Sequence, residues 1–328
     1  MIPNRPKASA DALNPAHSST TSPLTKASLG PRYGVAGVSA MMTDTRCPIC
    51  QHPSKRLFQK QGFWLRECRY CGHRFAEATT TSTHADDCFG DDYFLGAPGG
   101  YRDYLAQARQ LRHQGRRYGM LLANYMSPGR VLAVGAGAGF VLKGLTDVGW
   151  APMGIEPNAG MVEYGQRELG LPLQQGTLEQ FSTVQVSGLP LSYDLVTFIQ
   201  VLPQFYNLDQ ALNNARQVTK PRGYWLVEIC DRTSRTARLQ GQRWSAYQPP
   251  TALHWFSPEG VIQLARQYGF RPIAQGTPQK WTSTGAVKAS LRARLPAPLR
   301  PMVRLIPSGW PLPCWSEGMT WLLLQKLP

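Results

Sequence analysis

The sequence predicts an α/β fold: a largely parallel sheet with helices on both faces, following a small module that two cysteine pairs close around a metal. Three observations carry that prediction. From Val131 onward short apolar runs alternate with helical stretches, the pattern of βαβ units. The first run ends in a glycine cluster, and the second ends in an acid. Ahead of them stand Cys47-Pro-Ile-Cys50 and Cys68-Arg-Tyr-Cys71.

Taken in order, residues 1–43 are rich in Ser, Thr, Ala, Pro and Gly without periodicity, and disorder is expected there. Residues 44–78 hold the cysteine pairs. A Cys-x-x-Cys turn aims two sulfurs at one ion, and two such turns complete the tetrahedron that zinc prefers. Cys47, Cys50, Cys68 and Cys71 are therefore the expected ligands of a zinc ribbon. Four thiolates leave no open position for water, so the metal is expected to be structural. Gly72 follows the second pair and permits the positive φ such a turn often needs. Cys88, Cys230 and Cys314 are solitary and read as small core residues in a reducing compartment.

Residues 79–128 comprise a Thr-, Asp- and Gly-rich linker and then a helical reading over 93–126, where Tyr104, Leu111, Tyr118 and Leu122 recur at mostly helical steps. Ser127-Pro128-Gly129 breaks it. In the α/β domain, 129–328, strands are expected at 131–134, 153–156, 171–174, 195–201, 224–230, 271–274 and 321–324. Helices are expected at 140–148, 159–169, around 208–219, and from Pro258 to near Gly269. The last has Ser257 as N-cap and Pro258 at its first position. Residues 277–320 form a basic insertion broken by Pro296, Pro298 and Pro301. It suits a lid, a membrane surface or an anionic substrate.

Bulk composition narrows the function classes. With 42% hydrophobic and 17% charged residues the chain of 328 can bury a full core. No apolar run approaches the roughly 18–20 residues of a membrane span. Arg5 and Lys7 lack the apolar stretch of a secretory signal, so a cytoplasmic enzyme is expected. The net charge of +15 is spread as +7 over 1–129, +2 over 130–279 and +6 over 280–328. The basic flanks are compatible with an anionic substrate or surface, or with a merely solvated face.

The glycine cluster is Gly135-Ala136-Gly137-Ala138-Gly139, and Glu156-Pro157 closes the following strand. A carboxylate there can accept both hydroxyls of an adenosine ribose. The dinucleotide fingerprint G-x-G-x-x-G would need glycine at 140, where Phe140 stands. The spacing instead suits S-adenosylmethionine (AdoMet), whose methionine–ribose junction carries no phosphate.

On these residues, together with Gly176-Thr177-Leu178-Glu179, Tyr193-Asp194, Lys220-Pro-Arg-Gly223 and Phe256-Ser257-Pro258-Glu259, the chain resembles the class I AdoMet-dependent methyltransferases. It is most similar to a bacterial subgroup with an N-terminal zinc ribbon that acts on small molecules or glycans. The resemblance implies a Rossmann-like, seven-stranded sheet whose last strand is antiparallel. It implies a cofactor site of Gly135, Ala136, Gly137, Gly139, Glu156 and Pro157, with Gly176, Thr177 and Leu178 at the adenine and Gln200, Val201 and Leu202 at the methionine end. Three departures stand out: Ala133 replaces an acid two before the first glycine, Pro203-Gln204 replaces Glu-His, and Ala252 replaces a histidine two before His254.

Methyl transfer from a sulfonium is an in-line displacement that relies mainly on orientation. Where the acceptor must lose a proton, His254 is the first candidate base and Asp231 the second. Gln204, Phe205 and Tyr206, at the carboxyl edge of the sheet after the fourth strand, are candidate acceptor-pocket residues, and Trp255 beside His254 is a further one. Two other readings stay open: RNA methylation, from the basic flanks and the ribbon, and a non-catalytic scaffold, from Ala133 and Gln204.

Overall fold

The structure, a computed structural model, describes residues 46–94, 103–181, 191–283, 303, 311–315 and 318–328. The expectations for 1–43 and for most of the insertion 277–320 lie outside the described residues.

Three antiparallel strands, β1 (Ser54–Lys60), β2 (Phe63–Cys68) and β3 (Arg74–Glu77), carry the cysteine turns at their ends. Two short helices follow, α1 (His84–Cys88) and α2 (Asp91–Phe94), and then the long α3 (Ala108–Leu122). The reading of 79–92 as linker thus misses a helical turn whose His84 and Ala85 are buried.

The α/β layer runs β4 (Arg130–Val134), α4 (Phe140–Thr146), β5 (Ala151–Glu156), α5 (Ala159–Leu169), β6 (Leu173–Gln175) and β7 (Tyr193–Ile199). It continues with α6 (Leu208–Val218), β8 (Thr219–Cys230), α7 (Arg235–Gln240), β9 (His254–Trp255), α8 (Pro258–Gln267) and β10 (Phe270–Gly276). Strands β11 (Gln279–Ser283) and β12 (Pro311–Trp315) pair with each other, and β13 (Met319–Lys326) ends the fold.

Seven strands form one sheet in the order β10-β13-β8-β7-β4-β5-β6. β4 through β8 are parallel, and β13 runs antiparallel to both neighbours. This is the Rossmann-like arrangement with an antiparallel last strand. It holds because the central strands are apolar on both faces. Leu132, Val134, Val196 and Phe198 pack on one side, and Val131, Ala133, Leu195 and Leu226 on the other, as parallel sheets covered by helices require. Helix starts follow local chemistry: Asn158, Asn207 and Ser257 each accept a hydrogen bond from the third residue of their helix. Ser257 with Pro258 behind it is the start expected from sequence.

Strand β9 belongs to the other sheet. It pairs with β3, Phe75 opposite His254 and Arg74 opposite Trp255, so the cysteine-bearing sheet reads β1-β2-β3-β9. Its fourth strand comes from deep within the α/β sequence. Two residues are too few to show a strand period, so this pairing is a tertiary fact.

Candidate active site

The turn after β4 places three glycines in the left-handed region, Gly135 at φ 62°, Gly137 at 55° and Gly139 at 87°, a conformation that penalises any Cβ. Space matters as well. A Cβ on Gly135 would lie 2.7 Å from Val201 Cγ2, one on Gly137 2.4 Å from the Tyr104 hydroxyl, and one on Gly139 2.5 Å from Leu171 Cδ1. The close approach that glycine permits here is therefore to the protein's own side chains.

Glu156 ends β5 and is buried. Its Oε2 accepts from Gly137 N at 2.8 Å and its Oε1 from Asn158 N at 3.1 Å. Burial pushes its carboxyl up to about 7, against the lowering effect of those two amides. Gly176, at φ 144°, has nothing within 4 Å of where a Cβ would be, and its amide donates to Glu156 O at 3.0 Å.

These groups line one cleft at the carboxyl edge of the sheet, the place where open α/β folds bind ligands. Of the residues expected at the cofactor, Gly135, Gly137, Glu156 and Pro157 line it, with Gly176, Thr177 and Leu178 on one side and Gln200 and Val201 on another. Ala136, Gly139 and Leu202 do not. Ala136 donates its amide to Ile155 O, Gly139 caps α4, and Leu202 sits in the core. Gln204, Phe205 and Tyr206 line the cleft too. Sequence reasoning missed the wall made by Tyr93 and Phe94 of α2 with Phe89 and Tyr104 from the segments flanking the N-terminal helices. Asn158 holds that wall through Phe89 O at 3.1 Å and Asp91 Oδ1 at 3.0 Å, and Thr80 Oγ1 donates to Tyr206 O at 3.0 Å.

The remaining candidates lie elsewhere. His254 is buried behind the cleft wall, with its Nδ1 3.3 Å from His73 Nε2 and its ring bonded to the Phe205 carbonyl. Burial pushes its pKa down to about 4. Trp255 is buried among Trp244 and Tyr247, its indole N–H donating to Ala246 O at 2.7 Å. Asp231 Oδ1 accepts from the Thr233 amide and hydroxyl at 2.7 and 2.6 Å, closing the turn after β8. None of the three lines the cleft.

The four paired cysteines converge. Their sulfurs lie within 4.8 Å of one another, with 3.4 Å from Cys50 to both Cys68 and Cys71 and 3.6 Å from Cys47 to Cys71. A tetrahedron of sulfurs around zinc has edges of ~3.8 Å, given Zn–S bonds of ~2.3 Å. The amides of Ile49, Tyr70 and Cys71 point at Cys47 or Cys68 sulfur at 3.4 Å. Each turn then exits through a left-handed residue, Gln51 at φ 58° and Gly72 at φ 68°.

Comparison with known proteins places the chain. A family model described as a methyltransferase domain matches residues 104–275, just over half of the chain. No curated protein matches. Solved structures align at low identity. A SAM-dependent methyltransferase of Thermotoga maritima, a possible histamine N-methyltransferase, is 19% identical at a TM-score of 0.45, over 69% of this chain and 93% of its own. The 1,6-didemethyltoxoflavin-N1-methyltransferase of Burkholderia thailandensis is 12% identical at 0.48, over 79% and 98%. The magnesium protoporphyrin IX methyltransferase of Synechocystis is 14% identical at 0.44, over 71% and 91%. The family match, joined to the seven-stranded sheet and the glycine–acid cleft, makes this chain a member of the methyltransferase-domain family and an AdoMet-dependent methyltransferase.

Proposed function

We propose that the cleft binds AdoMet along Gly135–Gly137, Glu156 and Gly176–Leu178, and that the enzyme methylates a small-molecule or glycan-type acceptor held against Gln204, Phe205 and Tyr206. The observation that carries this reading is Glu156. A buried carboxylate at the end of β5, whose two oxygens are already oriented by backbone amides, is placed to accept the hydroxyls of a ribose. Gly176 leaves the neighbouring wall open for a flat ring.

AdoMet, when bound, supplies a methyl group already activated on sulfur. The chain's own residues then orient the reactants and exclude water. The wall of Phe89, Tyr93 and Phe94 supports water exclusion, tied down as it is by Asn158. With His254 and Asp231 outside the cleft, catalysis is assigned to orientation, with no side-chain base from those two positions. Among the described lining residues Glu156 and Glu179 are the charged groups, and no Lys or Arg is present. That favours a compact acceptor over RNA, whose backbone calls for cations.

The four cysteines are proposed to bind one structural zinc. The test of the cofactor reading is calorimetric titration with S-adenosylhomocysteine (AdoHcy). Micromolar binding by the wild type, weakened about ten- to a hundredfold in Glu156→Ala, is the expected result. Absence of binding by folded, metal-loaded protein would overturn it.

A further inference from the structure

Glu228 is fully buried at the carboxyl end of β8, yet it lies outside the cleft lining. Buried acids require partners, and this one has donors from two sides, α3 and the turn at Gln200. Its Oε2 accepts from Gln114 Nε2 at 2.7 Å and from the Tyr118 hydroxyl, both on α3. Its Oε1 accepts from Gln200 Nε2 at 2.8 Å.

Gln200 is held twice, because its backbone amide also donates to the Glu228 carbonyl at 2.9 Å. It occupies the left-handed region at φ 61°, a conformation that a residue with a Cβ keeps only when its surroundings enforce it. It lines the cleft immediately before Val201, the residue against Gly135. A carboxylate can only accept hydrogen bonds, so the Gln200 amide must present its NH2 group to Glu228. Its Oε1 is the polar atom left over for the cleft. The carboxylate behind the amide polarises that oxygen further.

We propose that Glu228 is a positioning residue: through Gln200 it fixes an amide oxygen as the acceptor for the ammonium group of the methionine moiety of AdoMet. The inference rests on the cofactor reading above. Glu228 shares a sheet face with Ala133, since both align with the run Leu226, Leu195 and Val131. It therefore puts a carboxylate on the side of the sheet where β4 has none.

The test compares AdoHcy with its deamino analogue, in which hydrogen replaces the α-ammonium group, by calorimetry at pH 8. Wild type is expected to bind AdoHcy about ten- to a hundredfold tighter than the analogue, the span of one hydrogen bond to a charged group. In Gln200→Ala that preference shrinks to less than about threefold while affinity for the analogue is retained. Glu228→Gln, free to turn the amide, loses preference in the same way. Equal weakening of both ligands, or an undiminished preference in Gln200→Ala, would overturn the proposal. Failure of wild type to bind AdoHcy at all would instead remove the cofactor reading beneath it.

Discussion

A single residue, Glu156, links burial to pH. Its carboxyl is raised from 4.5 to about 7 by burial, so in the free protein the folded state holds a proton that the unfolded chain releases near 4.5. The contribution of the protonated form is fully present below pH 4.5 and is lost as pH rises to about 7, at about 3 kcal/mol in all. Binding runs the other way. Ribose hydroxyls donate best to the ionised carboxylate, so AdoHcy affinity should be flat above about pH 8 and about tenfold weaker at pH 6. Glu156→Gln should flatten that profile at low affinity. A profile in the variant that follows the wild type would assign the titration to another group.

At the scale of elements, α3 and α4 cross at closest contact through two glycines. A Cβ on Gly115 would lie 2.0 Å from Val141 O, and one on Gly144 2.0 Å from Arg112 O. Both obstacles are backbone and cannot rotate away. Arg112 and Arg116 clamp the same junction onto Asp147 at 2.7 Å each. Gly144→Ala should therefore separate the helices and destabilise by about 2 kcal/mol, lowering Tm by several degrees. Gly90→Ala, with nothing within 4 Å, should stay within about 0.5 kcal/mol of wild type. Equal melting of the two variants would show that the crossing is not tightly packed.

For the whole molecule, the β9 pairing joins the cysteine-bearing sheet to the cleft. Ala76 N donates to Leu253 O and Leu253 N to Pro203 O, each at 2.8 Å, and Phe205 O receives the His254 ring. Loss of metal is then expected to be felt at residues 203–206 as well as at the cysteines. Protein from zinc-replete medium should carry one zinc per chain by elemental mass spectrometry. Chelation or Cys50→Ser should speed amide exchange at β2, β3 and residues 253–255 together. Metal-free protein with unchanged exchange would remove the structural role from the four cysteines.

The order of strands and helices was legible because apolar runs, breakers and caps are local: Ser257-Pro258 starts a helix wherever the chain goes. The glycine turn and Glu156 were legible for the same reason, being adjacent elements of one βαβ unit with fixed geometry. The wall of Phe89, Tyr93 and Phe94 was not, because aromatic residues at short spacing pack a core and line a cleft equally well. Neither was the place of His254, which sits in a segment that sequence assigned to the acceptor side. Pairing with β3 turns that segment toward the cysteine-bearing sheet and buries the imidazole behind Phe205. Glu228 stands in sequence as an acid within an apolar strand, and only the approach of α3 and the turn at Gln200 supply its partners. Local chemistry thus determined the fold class and the first half of the cleft. Long-range pairing decided which polar groups face it, since burial and register depend on what packs against a strand as well as on its own residues.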